Sequence, residues 1–241
     1  MNSIVIIGAT GGIGAALCRS LSQNGTPLFL GARDAVKLQA LAEETGATFS
    51  PVDATDSESV KAFFQAAQDA AEGIDGVVSL AGSLLLKAAH QTSDEEWMQT
   101  IAQNLTSAFF TTRAAVKAMP QGGSIVLMSS VAARLGLANH EAIAAAKGGV
   151  SGLVLSAAAT YAKQNIRVNA VAPGLVRTPL TKGLTSNEIM LKASSAMHPL
   201  NRIGEPEDVA SLIAWLLDLR NSWITGQIIG CDGGLGSVRG R

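Results

Sequence analysis

The chain has 241 residues, 47% of them hydrophobic, and its 18 Lys and Arg against 19 Asp and Glu leave a formal net charge of −1. That length and apolar content suit a full core of the doubly wound kind, so residues 1–241 are read as a single domain. Balanced charge with scattered basic residues gives no electrostatic footprint for nucleic acid. Two distant cysteines, Cys18 and Cys231, supply neither a disulfide framework nor metal ligands, and His90 and His198 lack acidic or thiol neighbours.

The first apolar run, Ile4 to Ile7, leads through Gly8-Ala9-Thr10-Gly11-Gly12-Ile13-Gly14 into an amphipathic segment. Glycines at such a junction admit backbone angles closed to other residues and let a pyrophosphate approach the main chain. The free N–H groups and positive dipole end of the following helix then face the anion. The G-x-x-x-G-x-G spacing suits a dinucleotide, with an ordinary strand-to-helix turn as the plainer alternative.

Further on, strand-length apolar runs near 3–7, 27–31, 48–52, 75–80, 124–129, 166–172 and 227–231 alternate with helical periods near 13–24, 35–45, 57–71, 97–118, 140–164 and 206–219. This alternation predicts an α/β fold of the doubly wound Rossmann type, a seven-stranded parallel sheet with helices on both faces. Right-handed crossovers bring the loops at Gly8, Ala32, Asp53, Ala81, Ser129 and Pro173 to one edge, where ligands bind. The long stretch without regular period, about 177–205, is expected to cover a substrate pocket there.

No basic-then-apolar leader precedes the first strand. The uncharged stretch Gly148 to Ala162 falls short of the roughly 20 residues of a membrane helix, so a cytoplasmic protein without a membrane partner is expected. Helix 140–164 is Ala- and Gly-rich on nearly every face. A homo-oligomer, dimer or tetramer, through 97–118 and 140–164 is therefore expected over a helix wholly enclosed by its own chain.

Several signatures stand in order: the glycine loop, Asp53 in Pro51-Val52-Asp53-Ala54, Ala81-Gly82, Asn104 in Gln103-Asn104-Leu105, and Ser129-Ser130. Lys147, Asn169-Ala170-Val171-Ala172-Pro173-Gly174, Thr225-Gly226-Gln227 and Asp232-Gly233-Gly234 follow. With these the whole chain resembles the short-chain dehydrogenase/reductase family, in the branch of the 3-oxoacyl-carrier-protein reductases. The resemblance implies a nicotinamide dinucleotide cradled by Gly8, Thr10, Gly11, Gly12, Ile13 and Gly14. Asp53, beside Ala54, would take the adenine amino group, and Ala81 and Gly82 would let the backbone pass the ribose. Pro173, Gly174, Val176 and Thr178 would line the carboxamide and pyrophosphate.

Arg33 follows the second strand where a cofactor's 2′ substituent lies, and Ala32 stands where an NAD-selective enzyme presents a carboxylate. A guanidinium there favours NADP(H), with NAD(H) possible because Gly11 replaces a basic loop residue and Asp34 is placed to neutralise Arg33. A second departure is Ser79-Leu80-Ala81-Gly82 where the family has Asn-Asn-Ala-Gly, which predicts a local packing adjustment.

The family's catalytic set is Asn, Ser, Tyr and Lys, the Tyr four residues before the Lys and donating a proton to the carbonyl oxygen as hydride arrives. Here Lys147, Ser130 and Asn104 match, but the Tyr position is Ile143, and the chain's single Tyr, Tyr161, is read as a packing residue. His140, three residues before Ile143 on about the same helix face, is the candidate replacement. A neutral ring near a helix N-terminus would donate a hydrogen bond to the carbonyl. Lys147 would hold the nicotinamide ribose, Ser130 polarise the substrate oxygen, and Asn104 support a water or the helix near Lys147. The expected function is an NADP(H)-dependent oxidoreductase for a small carbonyl/alcohol pair of neutral or modestly apolar character. The alternative is a catalytically inactive NADP(H)-binding regulator or oligomer partner.

Overall fold

The computed structural model describes residues 2–238. Its centre is one seven-stranded sheet in the order β3-β2-β1-β4-β5-β6-β7, with every neighbouring pair parallel. The strands are β1 (Ser3–Ile7), β2 (Leu28–Ala32), β3 (Thr48–Pro51), β4 (Ile74–Ser79), β5 (Gly123–Met128), β6 (Ile166–Pro173) and β7 (Ile228–Cys231), each bound within one residue of the sequence reading. The chain winds outward from β1 in one direction and then restarts at β4 in the other. A crevice therefore opens between the C-terminal ends of β1 and β4.

Strand alternation splits the core in two. Val5, Ile7, Val77, Ile125 and Val168 pack with α3 (Ser57–Ala70), α5 (Ser107–Ala118) and α6 (Glu141–Tyr161). Ile4, Ile6, Leu30, Val78 and Val126 face α1 (Gly12–Gln23), α2 (Ala35–Thr45) and α9 (Pro206–Leu217). Period-two alternation within near-continuous apolar strands is what two covered faces require. Cys18 is buried on the second face, which pushes its thiol up to about 12, and Tyr161 packs against the edge of the first core.

Three stretches differ from the sequence reading. The segment read as one helix over 97–118 is α4 (Asp94–Ile101), a π-helical turn (Ala102–Thr106) and α5. It starts three residues earlier because Ser93 and Glu96 form a reciprocal capping box. The stretch 177–205 is not irregular: it holds a 3₁₀ turn (Pro179–Thr181), α7 (Lys182–Thr185) and α8 (Glu188–Met197). The Asn187 side chain accepts from the N–H groups of Ile189 and Met190 and so starts α8. Finally, Glu141–Gln164 passes a membrane test by length and composition, but its Val150 and Val154 lie fully buried in the core beside the β6 residues Val168 and Ala170. It is a core helix of the fold.

Ser79, the residue departing from the family's Asn, reaches the Thr111 hydroxyl at 3.5 Å, a weak substitute for an amide bridge. The bridging amide of this sheet is Asn169, fully buried in β6. Its Nδ2 donates to the Ile224 carbonyl at 3.0 Å and its Oδ1 accepts from the Gln227 N–H at 3.0 Å, fastening the approach to β7. Asn169→Val strands both backbone groups, and equilibrium urea unfolding is expected to show a loss of about 1–3 kcal/mol with an unchanged denaturant slope.

Candidate active site

The glycine turn is shaped by backbone contact. Gly8 has φ +83°, and its N–H and that of Ala9 both donate to the Gly31 carbonyl at 2.8 and 3.1 Å. A Cβ on Gly8 would lie 2.8 Å from the Leu80 carbonyl carbon, and one on Gly14 would run into the Gly8 carbonyl oxygen. A Cβ on Gly12 would meet Thr178 Cγ2 at 2.9 Å, so this glycine lets the 177–205 segment approach the start of α1. No side chain caps α1 at Gly11. Its first-turn N–H groups stand beside the crevice that Gly12, Ile13 and Gly14 line.

Two arms make up that crevice. The wider, about 370 Å³, is lined by Thr10, Arg33, Asp53, Ala54 and Ala81. The narrower, about 210 Å³, is lined by Asn104, Ser130, Lys147, Pro173, Val176 and Thr178. Gly8, Gly11 and Gly82 border both, so the arms are continuous. Glycine positions without room for a Cβ along a slot of this length fit a dinucleotide laid over the turn.

At the wide end Asp53 Oδ1 accepts from the Thr55 N–H and hydroxyl at 2.9 and 2.7 Å. These bonds, aided by the Arg33 charge, hold its carboxyl below the usual range and leave Oδ2 open toward the crevice it lines. Asp34 does not neutralise Arg33 as the sequence suggested. It pairs with Lys37 at 2.9 Å and caps α2 through the Lys37 N–H, because the i,i+3 partner lies on its own helix. The exposed Arg33 guanidinium has no hydrogen-bond or ion-pair partner among the described residues.

In the narrow arm Lys147 is 7% exposed and donates from Nζ to the Met128 carbonyl at 2.9 Å. With no carboxylate facing it, burial alone lowers its pKa from 10.5 to about 8. Asn104 lies in the π turn, a helix irregularity that recurs at functional sites. Its Nδ2 donates to the Thr100 carbonyl and the Ser83 hydroxyl, both at 3.0 Å, and its Oδ1 accepts from the Ser83 N–H. Ser130 Oγ accepts from the Ala132 N–H at 3.1 Å, which leaves its own proton to give away. Ile143, buried at 4% exposure, lines this arm beside Ser130 and Lys147.

A third cavity, about 280 Å³, adjoins the narrow arm and shares Leu84, Ser130, Ile143, Gly174 and Thr181 with it. His140, the residue preceding α6, lines this cavity. Its Nδ1 lies 2.7 Å from the Ala138 carbonyl, which can only accept, so Nδ1 carries the proton. In a neutral ring this leaves Nε2 as an acceptor, so donation toward the cavity from Nε2 requires the protonated imidazole. Sequence reasoning missed the cavity walls Leu84, Leu86 and Leu175, while Met197 falls in the 177–205 segment expected to cover a pocket. Their signal was the run Leu84-Leu85-Leu86 in a loop outside any element. Among the described residues no group of three or more His, Cys, Asp or Glu converges as a metal site.

The lowered pKa of Lys147 is also a stability statement. Between about 8 and 10.5 the unfolded chain holds a proton that the folded chain has released, so folding stability rises with pH across that window. Below it the burial penalty stands at about 3 kcal/mol, offset by the bond to Met128. Lys147→Met is expected to raise the melting temperature at neutral pH, by about 1–3 kcal/mol of stability, and to remove the rise toward pH 10 in calorimetric scans.

Comparison with known proteins places this geometry. Residues 8–236 match a family model described as Enoyl-(Acyl carrier protein) reductase. The chain is 36% identical to a cis-4-hydroxycyclohexanecarboxylate dehydrogenase of Sinomonas cyclohexanicum, over 97% of this chain and 96% of that one. It is 35% identical to the 3-oxoacyl-acyl-carrier-protein reductase FabG of Thermotoga maritima, over 96% of each. Among solved structures, an actinorhodin polyketide ketoreductase with NADPH superposes with a TM-score of 0.92 at 27% identity, covering 98% of both chains. A short-chain type dehydrogenase/reductase from Mycobacterium ulcerans gives 0.94 at 29% identity, over 99% of this chain and 91% of that one. With the fold, the glycine turn and the Asn104–Ser130–Lys147 cluster on one crevice, the chain belongs to the short-chain dehydrogenase/reductase family of oxidoreductases acting on alcohols and carbonyls.

Proposed function

We propose that the protein is an NADP(H)-dependent oxidoreductase for a small carbonyl/alcohol pair, with His140 handling the proton at a site where Ile143 stands in place of the family's Tyr. The supporting observation is the continuity of the glycine-lined crevice, past Lys147 and Ser130, with the cavity that holds His140. When bound in the crevice, the nicotinamide supplies or accepts the hydride. Gly8, Thr10, Gly11, Gly12, Ile13 and Gly14 hold its pyrophosphate, and Asp53 and Ala54 its adenine. Ala81 and Gly82 pass the ribose, while Pro173, Gly174, Val176 and Thr178 flank the reactive end.

Lys147 has ammonium hydrogens beyond the one given to Met128 and directs them to ribose hydroxyls. Asn104 holds the loop after β4 against the π turn. Ser130 donates its free proton to the substrate oxygen. In alcohol oxidation His140 Nε2 accepts the hydroxyl proton, and in reduction the imidazolium returns it through the same atom, Nδ1–H remaining on Ala138 throughout. The dehydrogenase and reductase names of the relatives favour turnover over the inactive regulator. Exposed Trp97, Met98, Phe109 and Leu155 on the 97–118 and 140–164 helices support a homo-oligomer formed through them. Cytoplasmic residence without a membrane or nucleic-acid partner belongs to the same reading.

Purified protein is expected to oxidise NADPH in the presence of simple ketones, followed by nicotinamide absorbance. Arg33→Asp should raise the KM for NADPH about 10- to 100-fold and spare NADH, the loss of a charge-assisted contact to the 2′-phosphate. Equal KM values for the two cofactors in the unmodified protein would contradict the NADP(H) assignment.

His140→Ala should lower kcat by about 10²–10⁴, the usual worth of positioned acid–base catalysis, with little change in NADPH affinity. Undiminished turnover in that variant ends the assignment of His140.

A further inference from the structure

We infer that the cavity beside Ser130 and His140 takes an uncharged, apolar carbonyl compound or its alcohol and rejects substrates that carry a carboxylate or phosphate inside it. This rests on the oxidoreductase reading above and specifies the substrate class of the same site. The walls are Leu84 and Leu86 from the loop after β4, Leu137, Leu175, and Leu184 and Met197 from the covering helices. Among the described residues no Lys, Arg, Asp or Glu lines the cavity.

Its polar residues are largely engaged. His198, 3% exposed, donates from Nδ1 to the Ser194 carbonyl and accepts at Nε2 from the Leu175 N–H. The Thr181 hydroxyl donates to the Val176 carbonyl. Ser130 O–H and His140 Nε2 remain available, and in the proposed reaction both are taken by the reacting oxygen, which leaves no donor or cation for a second, anionic group in the cavity.

The lysines of the neighbouring loop and arm are committed elsewhere. Lys87 follows Leu86 directly, yet its Nζ is held by both Glu96 oxygens at 2.9 and 2.8 Å. Lys147 lies in the adjoining arm on the Met128 carbonyl. A carboxylate in the cavity would lose water and meet apolar carbon without a counter-charge, which transfer energetics strongly oppose. An apolar ring or chain instead removes its own surface and that of the leucines from water.

The test uses three ketones of nearly equal shape with the full-length protein and NADPH: 4-methylcyclohexanone, methyl 4-oxocyclohexanecarboxylate and 4-oxocyclohexanecarboxylate. The two neutral ketones are expected to exceed the carboxylate in kcat/KM by at least about 100-fold. Calorimetric binding of each ketone to NADP⁺-loaded protein, a pairing that cannot react, should follow the same order. Met197→Arg, which adds a cation at the cavity wall, should raise kcat/KM for the carboxylate about tenfold or more. A carboxylate bound and turned over within about threefold of its methyl ester overturns the inference. Binding in the expected order with no turnover of any ketone overturns the reductase reading and leaves the ligand class standing.

Discussion

The site depends on the close crossing of main chain at the ends of β1, β2 and β4. There the N–H groups of Gly8 and Ala9 share the Gly31 carbonyl, and the Leu80 N–H donates to the Ile7 carbonyl at 2.8 Å. These bonds draw three strand ends so close that no side chain fits between the glycine turn and the Leu80–Ala81 backbone. The floor of the crevice is therefore peptide, rigid and rich in N–H groups, at the point where the strand order reverses. Gly14 extends the constraint by bringing α1 down onto its own turn, which aims the helix start along the crevice. A side chain at either position would lift the floor or tilt the helix, and both consequences reach the site before they reach the core.

A second dependence runs through the π turn. The wider turn at Ala102–Thr106 offsets α5 from α4, and the side chain of Asn104, 1% exposed, bonds across to Ser83. Leu105, the next residue, packs under Gly149, where a Cβ would lie 2.7 Å from Leu105 Cδ2. One irregular turn thus docks α6 on one side and clamps the loop after β4 on the other. That loop carries Leu84 and Leu86, so a departure from helical hydrogen bonding fixes the wall of the substrate cavity.

Strands were legible because a sheet covered on both faces writes short, nearly unbroken apolar runs between turn residues, and Ile4–Ile7 and Ile166–Pro173 do so plainly. The candidate residues from the glycine turn to Thr178 came together on one crevice, with His140 in the adjoining cavity, since motifs at strand ends inherit their position from the fold, whereas Thr225-Gly226-Gln227 and Asp232-Gly233-Gly234 lie off it. Local electrostatics were less legible. Asp34 reads equally well as a neighbour of Arg33 or as a helix cap, and only the three-dimensional path of α2 hands it to Lys37. The tautomer of His140 is set by the turn that presents the Ala138 carbonyl, a backbone direction that sequence does not encode locally. Residues 177–205 escaped a helical reading because α7 and α8 are too short to establish a period, and the reading from 97 passed over the capping signal Ser93-x-x-Glu96 that marks the true start of α4.

Charge thins out along the path from one end of the crevice to the other. The wide arm holds an exposed guanidinium and an acidified carboxyl. The middle holds the helix start and one buried ammonium, and the last cavity holds no Lys, Arg, Asp or Glu among the described residues. For the proposed dinucleotide this gradient permits one direction of entry, because a phosphorylated ribose placed among Leu84, Leu86 and Met197 would be an unpaired anion in apolar surroundings. Lys147 sharpens the choice. Its burial opposes folding, and partners that accept its remaining hydrogens relieve that opposition, so a hydroxylated ribose placed beside it, as proposed, would gain affinity from a group that weakens the empty protein. The chain holds an ammonium where its own core would be more stable with a methylene chain, and that is the physical ground for reading Lys147 as belonging to the ligand site, since the fold gains nothing from its charge.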